Sequence, residues 1–347
     1  MSLRSFLESL IHFLAGGRVL NQSAPFLQYN PSPRTPNPIR LWRFPLVFSS
    51  IKVAIITPTY NRAHTIVRAV ESVLAQTHSN WELIIRDDGS RDNTAEILAP
   101  YLADARIRYL PRQENKGVNT TRNEALDAMS DDVAVVTFLD SDDTLVPDAL
   151  VTALSVMAAE PHYHWFNFPA KDEAGETRTQ LSSPELIGTP DVFIRGTEIG
   201  GEFVQFLRRD AANQLRFVDG LNGYEGIAWI RLAQQFPCRF RPQPLRVYWQ
   251  DTESLIRVGT KSRRYYDNQA RGMQLWMAEF GQRLAELNPA GAALNWYVLG
   301  HAYAMLGECT QARVATLAGW KLNSRDLRLL RNLGSLLRCW LRIGLAK

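Results

Sequence analysis

The sequence predicts an α/β protein, a mostly parallel sheet flanked by helices, followed by a helical C-terminal region. Three observations predict it. Between residues 52 and 139, short apolar runs are continuous in hydrophobicity rather than alternating, as strands covered on both faces must be. The segments between them carry apolar residues at helical spacing. Each polar cluster in this stretch falls directly after a strand, at the edge where such sheets bind ligands.

Taken in order, "VAIIT" (53–57) reads as the first buried strand. "AHTIVRAVESVLAQT" follows, with Ile66, Val67, Val70, Val73 and Leu74 on one helix face. "WELIIRDDGS" is a second buried strand ending in Asp87 and Asp88. "RDNTAEILAPYLA" is a second helix, with Asp92 or Asn93 placed to accept from the free N–H groups of its first turn. "RIRYLPR" supplies a third strand, "GVNTTRNEALDAM" a third helix and "VAVVTFLD" a fourth strand. This β-α-β-α-β-α-β succession calls for a parallel sheet with helices on both faces. The strand-end groups Thr59, Tyr60, Asn61 and Arg62, then Asp87 and Asp88, then the acids from 140 to 143, should converge on one edge.

The flanks read differently. Leu3, Phe6, Leu7, Leu10, Ile11 and Leu14 mark one face of an N-terminal helix, and Pro25, Pro31, Pro33, Pro36 and Pro38 then exclude helix or central strand. From 160 to 260 the pattern is mixed, with aromatic stretches such as "HYHWFNFP" and "RFRPQPLRVYWQ". Beyond 265 the chain turns helical, and "LNWYVLGHAYAMLGECTQARVATLAGWKLN" reads as two helices around Gly307, like a single tetratricopeptide hairpin. The expected organisation is an extension over 1–50, two halves of one α/β domain over 51–155 and 156–262, and a helical region over 263–347.

An apolar fraction of 46% and a charged fraction of 21% are those of an ordinary globular chain. The net charge of +4 gives no reason to expect a nucleic-acid partner. Basic residues gather at the C-terminus: Lys321, Arg325, Arg328, Arg331, Arg338, Arg342 and Lys347 face a single acid, Asp326. Cys238, Cys309 and Cys339 lie far apart without CxxC spacing, so neither a disulfide framework nor a zinc site is expected, as suits a reducing compartment. No run of 18 uncharged apolar residues predicts a membrane span. The opening "MSLRSFLESLIHFLAGG" superficially resembles a signal peptide, but Glu8 and His12 interrupt it. The expectation is a cytoplasmic protein, with amphipathic stretches at both ends able to touch the inner face of a membrane.

"FLDSDDTLVPDAL" (138–150) places Asp140, Asp142 and Asp143 within four positions, and like charges this close repel unless a cation lies among them. Helix capping would use one of the three. An EF-hand needs ligands spread over twelve residues with a glycine at the sixth, which this stretch lacks. Mg²⁺ or Mn²⁺ fits better, because such a cation takes one or two carboxylates and completes its shell with water and phosphate oxygens. With no GxxxxGK or GxGxxG cradle in the chain, the metal would carry most of the contact to a diphosphate.

"VAIITPTYNRAHTIVRAVESVLAQTHSNWELIIRDDGSRDNTAEIL", "NKGVNTTRNEAL" and "FLDSDDTLVPDAL" together resemble the family 2 glycosyltransferases of GT-A fold, from about 51 to 155 and more weakly to about 260. The resemblance implies a nucleotide-sugar donor, a UDP-sugar, and a glycan or lipid-linked acceptor. It places Pro58, Thr59, Tyr60 and Arg62 along the base and ribose, Asp88 on the base, and Arg122 near the ribose or phosphates. Asp140, Ser141 and Asp142 stand as the family's DXD motif, with Asp140 near the ribose or sugar, Asp142 on Mn²⁺ or Mg²⁺, and Asp143 as an additional metal contact.

An inverting transfer also needs a base for the acceptor hydroxyl. In "LNGYEGIAWIRLAQQF", the acidic pair that relatives carry before an Arg-Leu is replaced by Tyr224 and Glu225, leaving Glu225 as the candidate catalytic base. "QPLRVYWQDTESLIR" resembles the later loop that closes on the diphosphate, with Gln250, Ser254 and Arg257 as its candidates. His162 and His164 lack a third nearby ligand and read as packing or acceptor-loop residues. Two alternatives stand beside this reading. A sugar-1-phosphate nucleotidylyltransferase would need a Gly-rich loop where "TPTYNR" stands. A non-catalytic sugar-nucleotide-binding scaffold is favoured only by Tyr224.

Overall fold

The computed structural model describes residues 49–250 and 262–345, apart from the side chains of 342–345. The expected N-terminal amphipathic helix and proline-rich strap, and the candidates Ser254 and Arg257, lie outside the described residues.

The first half follows the expected succession: β1 (Lys52–Thr59), α1 (Ile66–Leu74), β2 (Trp81–Asp87), α2 (Thr94–Leu98), β3 (Ile107–Pro111), α3 (Val118–Asp127) and β4 (Val133–Phe138). β1 lies parallel to β2 and to β4, and β2 parallel to β3. Continuous hydrophobicity in β1 has its cause in two separate cores. Val53 and Ile55 pack with α1 residues Ile66 and Val70 on one face, while Ala54 and Ile56 pack with Ala125 and Leu126 of α3 on the other. Asn93 stands at the N-cap of α2 without a side-chain cap bond, and Asp92 just before it accepts the Thr94 N–H with its Oδ1 at 3.2 Å.

The second half continues with β5 (Thr144–Leu145), α4 (Ala149–Ala159), β6 (Trp165–Lys171), β7 (Thr179–Leu181), β8 (Ile187–Gly188), α5 (Pro190–Arg195), β9 (Ile199–Gly201), β10 (Phe203–Arg208), α6 (Arg209–Gln214), α7 (Gly226–Ala233), β11 (Cys238–Phe240) and β12 (Arg246–Val247). The main sheet runs β3-β2-β1-β4-β10-β6-β11-β8. β10 is antiparallel to both its neighbours, so the sheet is mixed beyond β4. The chain moves outward from β1 to β3 and then returns to β4 on the other side of β1. That reversal opens a crevice beyond the carboxyl ends of β1 and β4. β12 pairs with β5 and β6, which lays residues 246–249 against the acidic loop that precedes β5.

Four helices close the chain: α8 (Arg263–Leu287), α9 (Pro289–Leu306), α10 (Cys309–Leu322) and α11 (Arg328–Leu345). Ser262 caps α8 and Asn288 caps α9, each side chain accepting a first-turn N–H. Gly307, at φ 89°, ends α9 in the left-handed conformation that favours glycine, as the expected hairpin requires. Against the expectation that the cysteines form no disulfide framework, Cys309 and Cys339 form a disulfide, with Cα atoms 5.9 Å apart. Their 30-residue separation hid the pairing, because α10 and α11 fold back side by side and bring the two sulfurs together. No helix among the described residues is long and apolar enough to cross a membrane.

Candidate active site

The loops after β1 and β2 are laced to each other. Asn61 adopts φ 52°, a left-handed conformation that asparagine tolerates, and its N–H donates to Ser90 Oγ at 2.8 Å. Its own Oδ1 accepts from the Arg91 N–H at 2.8 Å, and the Arg62 N–H donates to Thr94 Oγ1 at 3.2 Å. The Asp88 N–H donates to the Thr59 carbonyl. Asp88 is buried, and its two carboxylate oxygens accept the N–H groups of Lys116 and Gly117 at 2.7 and 2.8 Å. It therefore fixes the start of α3. The Thr59 hydroxyl is buried without a partner among the described residues, Pro58 is buried within β1, and Tyr60 is half-buried at its end.

Ion pairs join the other candidates into one network. Arg62 Nη2 lies 3.4 Å from Asp142 Oδ2, and Arg122 Nη2 lies 2.9 Å from Asp140 Oδ1. Arg122 Nη1 reaches Glu225 Oε1 at 3.3 Å. Arg246, with its side chain 5% exposed, stands 3.4 Å from both Asp140 and Asp143 and 2.8 Å from Glu202. Sequence reasoning missed Arg246. Its only signal was a basic residue in the apolar and aromatic run "LRVYW", and the motif acids it meets, Asp140 and Asp143, lie more than a hundred residues upstream. The Trp249 N–H donates to Asp143 Oδ1, and the Trp249 ring lies under the Arg68 guanidinium, whose N–H groups hold the Asp142 carbonyl.

The three acids differ in their surroundings. Crowding by protein would raise the Asp140 carboxyl, but Arg122 and Arg246 outweigh it and hold it below its ordinary value. Burial, then the charge of Asp140, raises Asp142 against the opposing pull of Arg62. Burial pushes Asp143 up to about 7 although Arg246 opposes it. Ser141 is buried between the two outer acids of the motif.

Hard-oxygen donors suit Mg²⁺ or Mn²⁺. Asp140 and Asp142 keep side chains 36% and 26% exposed, although Asp140 pairs with Arg122 and Arg246 and Asp142 with Arg62, so an incoming ion would share them with these guanidinium groups. Asp143 is 2% exposed and already engaged by Arg246 and Trp249. Among the described residues, no three His, Cys, Asp or Glu side chains could cage a metal by themselves. The donor set fits an ion held by one or two carboxylates and completed by phosphate and water.

The loop over residues 217–225, which carries Glu225, is pinned from two sides. From α3, Asn123 accepts the Phe217 N–H and donates to the Phe217 carbonyl and to Asp219, while Asn119 donates to the Val218 carbonyl. From α8, Asn268 exchanges two hydrogen bonds with the backbone of Asn222, at 2.9 and 3.0 Å. Tyr224 donates its hydroxyl to the Gln269 carbonyl, and its ring lies where a side chain at Gly272 would stand. The position that departs from the expected acidic pair is thus an anchor on α8. Burial pushes the Tyr224 phenol up to about 12, so it stays protonated and keeps that bond. Gln250 is exposed, its N–H donating to Glu173 at 2.6 Å. His164 bonds Asp210 and packs on Phe236, as a packing residue would.

Comparison with known proteins agrees with this architecture. Residues 54–216 match the profile described as Glycosyl transferase family 2. TuaG of Bacillus subtilis, whose name places it in teichuronic acid biosynthesis, is 43% identical over 188 residues, covering 53% of this chain and 72% of that protein. The UDP-Glc:alpha-D-GlcNAc-diphosphoundecaprenol beta-1,3-glucosyltransferase WfgD of Escherichia coli is 42% identical over 105 residues, 30% of this chain; the match spans 40% of that protein's length. The crystal structure of S. aureus TarS 1-349 in complex with UDP-GlcNAc superposes with a TM-score of 0.58 at 16% identity, covering 84% of this chain and 92% of that one. That likeness is one of fold, the GT-A arrangement expected from the motifs. The chain belongs to glycosyl transferase family 2.

Proposed function

We propose that this protein transfers a sugar from a UDP-sugar to a lipid-linked glycan acceptor, with inversion, at the cytoplasmic face of a membrane. The observation that carries the reading is Arg122, which holds Asp140 of the acidic motif and Glu225 of the pinned loop in one guanidinium. The DXD acid and the candidate base are thereby kept within a few ångströms of one group. The E. coli relative is named for UDP-Glc and a diphosphoundecaprenol acceptor, which supports the donor and acceptor classes.

In this reading Glu225 takes the proton of the acceptor hydroxyl as it attacks the anomeric carbon. Arg122 orients that carboxylate. Pro58, Thr59, Tyr60 and Arg62 line the donor's nucleoside, and Asp88 shapes that wall by holding the start of α3. Asp142, with Asp140, would hold Mg²⁺ or Mn²⁺, and the bound cation would offset charge building on the departing diphosphate. Asp143 braces Arg246, whose fixed positive charge lies behind Asp140. Gln250 borders the same loop. Incubating the protein with UDP-, GDP- and dTDP-sugars, with Mn²⁺ or with EDTA, tests the reading through released nucleoside diphosphate. Metal-dependent release from a UDP-sugar supports it. Absence of both release and nucleotide binding with metal present would sink it.

A further inference from the structure

Helix α11 has two faces with opposite fates. Its inner face buries Leu329, Asn332, Ser335, Leu336 and Cys339. That face is fastened as well as packed: Asn332 donates to the Tyr297 carbonyl at 2.8 Å, Ser335 bonds His301, and Cys339 is joined to Cys309. The helix therefore cannot roll to cover its other side. On that side Leu330, Leu337, Trp340 and Leu341 are 51%, 63%, 59% and 57% exposed, and Leu327 just before the helix is 80% exposed.

Of the eleven large hydrophobic side chains exposed among the described residues, five fall within 327–341. Scattered exposed leucines need no explanation, but a contiguous patch does. Leu330, Leu337 and Leu341 stand seven and eleven positions apart on one stripe, with Trp340 beside them. Arg331 and Arg338, both exposed and seven apart, run along one flank. α11 contains no acid. Asp326, the one acid from 321 to 347, is already paired with Arg328 at 3.4 Å.

We propose that the outer face of α11, with Leu337, Trp340 and Leu341 seated among headgroups and Arg331 and Arg338 beside them, docks the protein on an anionic membrane leaflet. An apolar stripe flanked by arginines matches both layers of such a surface, hydrocarbon edge and phosphate. A second copy of the chain fits less well, since a two-fold contact through this stripe sets the same patch, arginines included, against itself. The inference deepens the lipid-linked acceptor reading by naming the surface that would bring the site to its acceptor.

The test is co-sedimentation of the full chain with phosphatidylglycerol–phosphatidylcholine vesicles and with phosphatidylcholine alone, without donor or acceptor. Binding should need the anionic lipid and weaken as salt rises. Arg331→Gln with Arg338→Gln should weaken it about 25-fold, at about fivefold per basic residue near the surface. Leu337→Gln with Trp340→Gln should weaken it about tenfold or more through lost apolar burial. All four positions are exposed, so the variants should melt as the wild type does. If the wild type ignores anionic vesicles, or both variants bind as it does, the assignment is wrong. A dimer in sedimentation equilibrium that Trp340→Gln dissociates, without vesicle binding, would give the face to a second copy. Nucleoside diphosphate release in lipid-free solution reads the catalytic proposal separately, so either can fail alone.

Discussion

Arg122 of α3 donates to Glu225, the residue just before α7, Nη1 to Oε1 at 3.3 Å, while its Nη2 holds Asp140 at 2.9 Å. A guanidinium presents a rigid fork, so one side chain can fix two carboxylates that belong to different loops. Arg122→Lys keeps the charge and loses the fork. Turnover should fall about tenfold to a hundredfold with little change in nucleotide affinity, and Arg122→Ala should fall further. Steady-state kinetics beside nucleotide titration checks the split.

Arg246 is the most deeply buried cation of the network. Removing one member of a buried ion pair leaves the other uncompensated, at a cost of about 3–5 kcal/mol. Arg246→Met should therefore lower the denaturation midpoint and also weaken donor binding, because Asp143 loses its ion-pair partner and Asp140 keeps only Arg122. Urea unfolding followed by circular dichroism measures the first effect. Asp143→Asn, paired with Arg246→Met, should recover part of the lost stability.

Gly272 is the point where α8 admits the Tyr224 ring. Gly272→Ala should displace Tyr224 and, with it, the neighbouring Glu225, lowering turnover while nucleotide affinity stays near wild type. Overpacking of this kind costs about 1–3 kcal/mol. Tyr224→Phe, which removes only the bond to the Gln269 carbonyl, should have a milder effect in the same direction.

The sequence made the first half of the sheet legible because β1, β2 and β4 are almost wholly buried and α1 shows one apolar stripe. β1 and α1 are visible in "VAIIT" and "TIVRAVESVL" without any partner in view. The acidic motif was legible for the same local reason, since three acids in four positions demand an explanation by themselves. The second half was not. β8, β11 and β12 are two or three residues long, too short for any periodicity, and β10 enters antiparallel from a distant stretch. Arg246, Asn123 and the cysteine pair act through partners 30 to more than 90 residues away, which no window along the chain reveals. Tyr224 reads as a lost acid until α8 is seen beneath it.

Reduction of the Cys309–Cys339 disulfide offers a test of the helical region alone. Closing a loop of 30-residue separation is worth about 3–4 kcal/mol in chain entropy. Reductant, or Cys309→Ser, should lower the melting temperature of the helical region and leave donor hydrolysis nearly unchanged, because neither cysteine touches the ion-pair network.

In the proposed transfer Glu225 and the acidic motif serve one reaction, in separate roles. Metal-dependent nucleoside diphosphate release, with nucleotide binding measured in parallel, separates those roles for the wild type, Glu225→Gln and Asp142→Ala. Glu225→Gln should bind nucleotide as the wild type does but lose at least about a hundredfold in turnover with acceptor, the range a positioned base supplies. Asp142→Ala should lose metal-dependent binding and turnover together. A Glu225→Gln variant with undiminished turnover, or an Asp142→Ala variant that still binds nucleotide in a metal-dependent way, would contradict those roles.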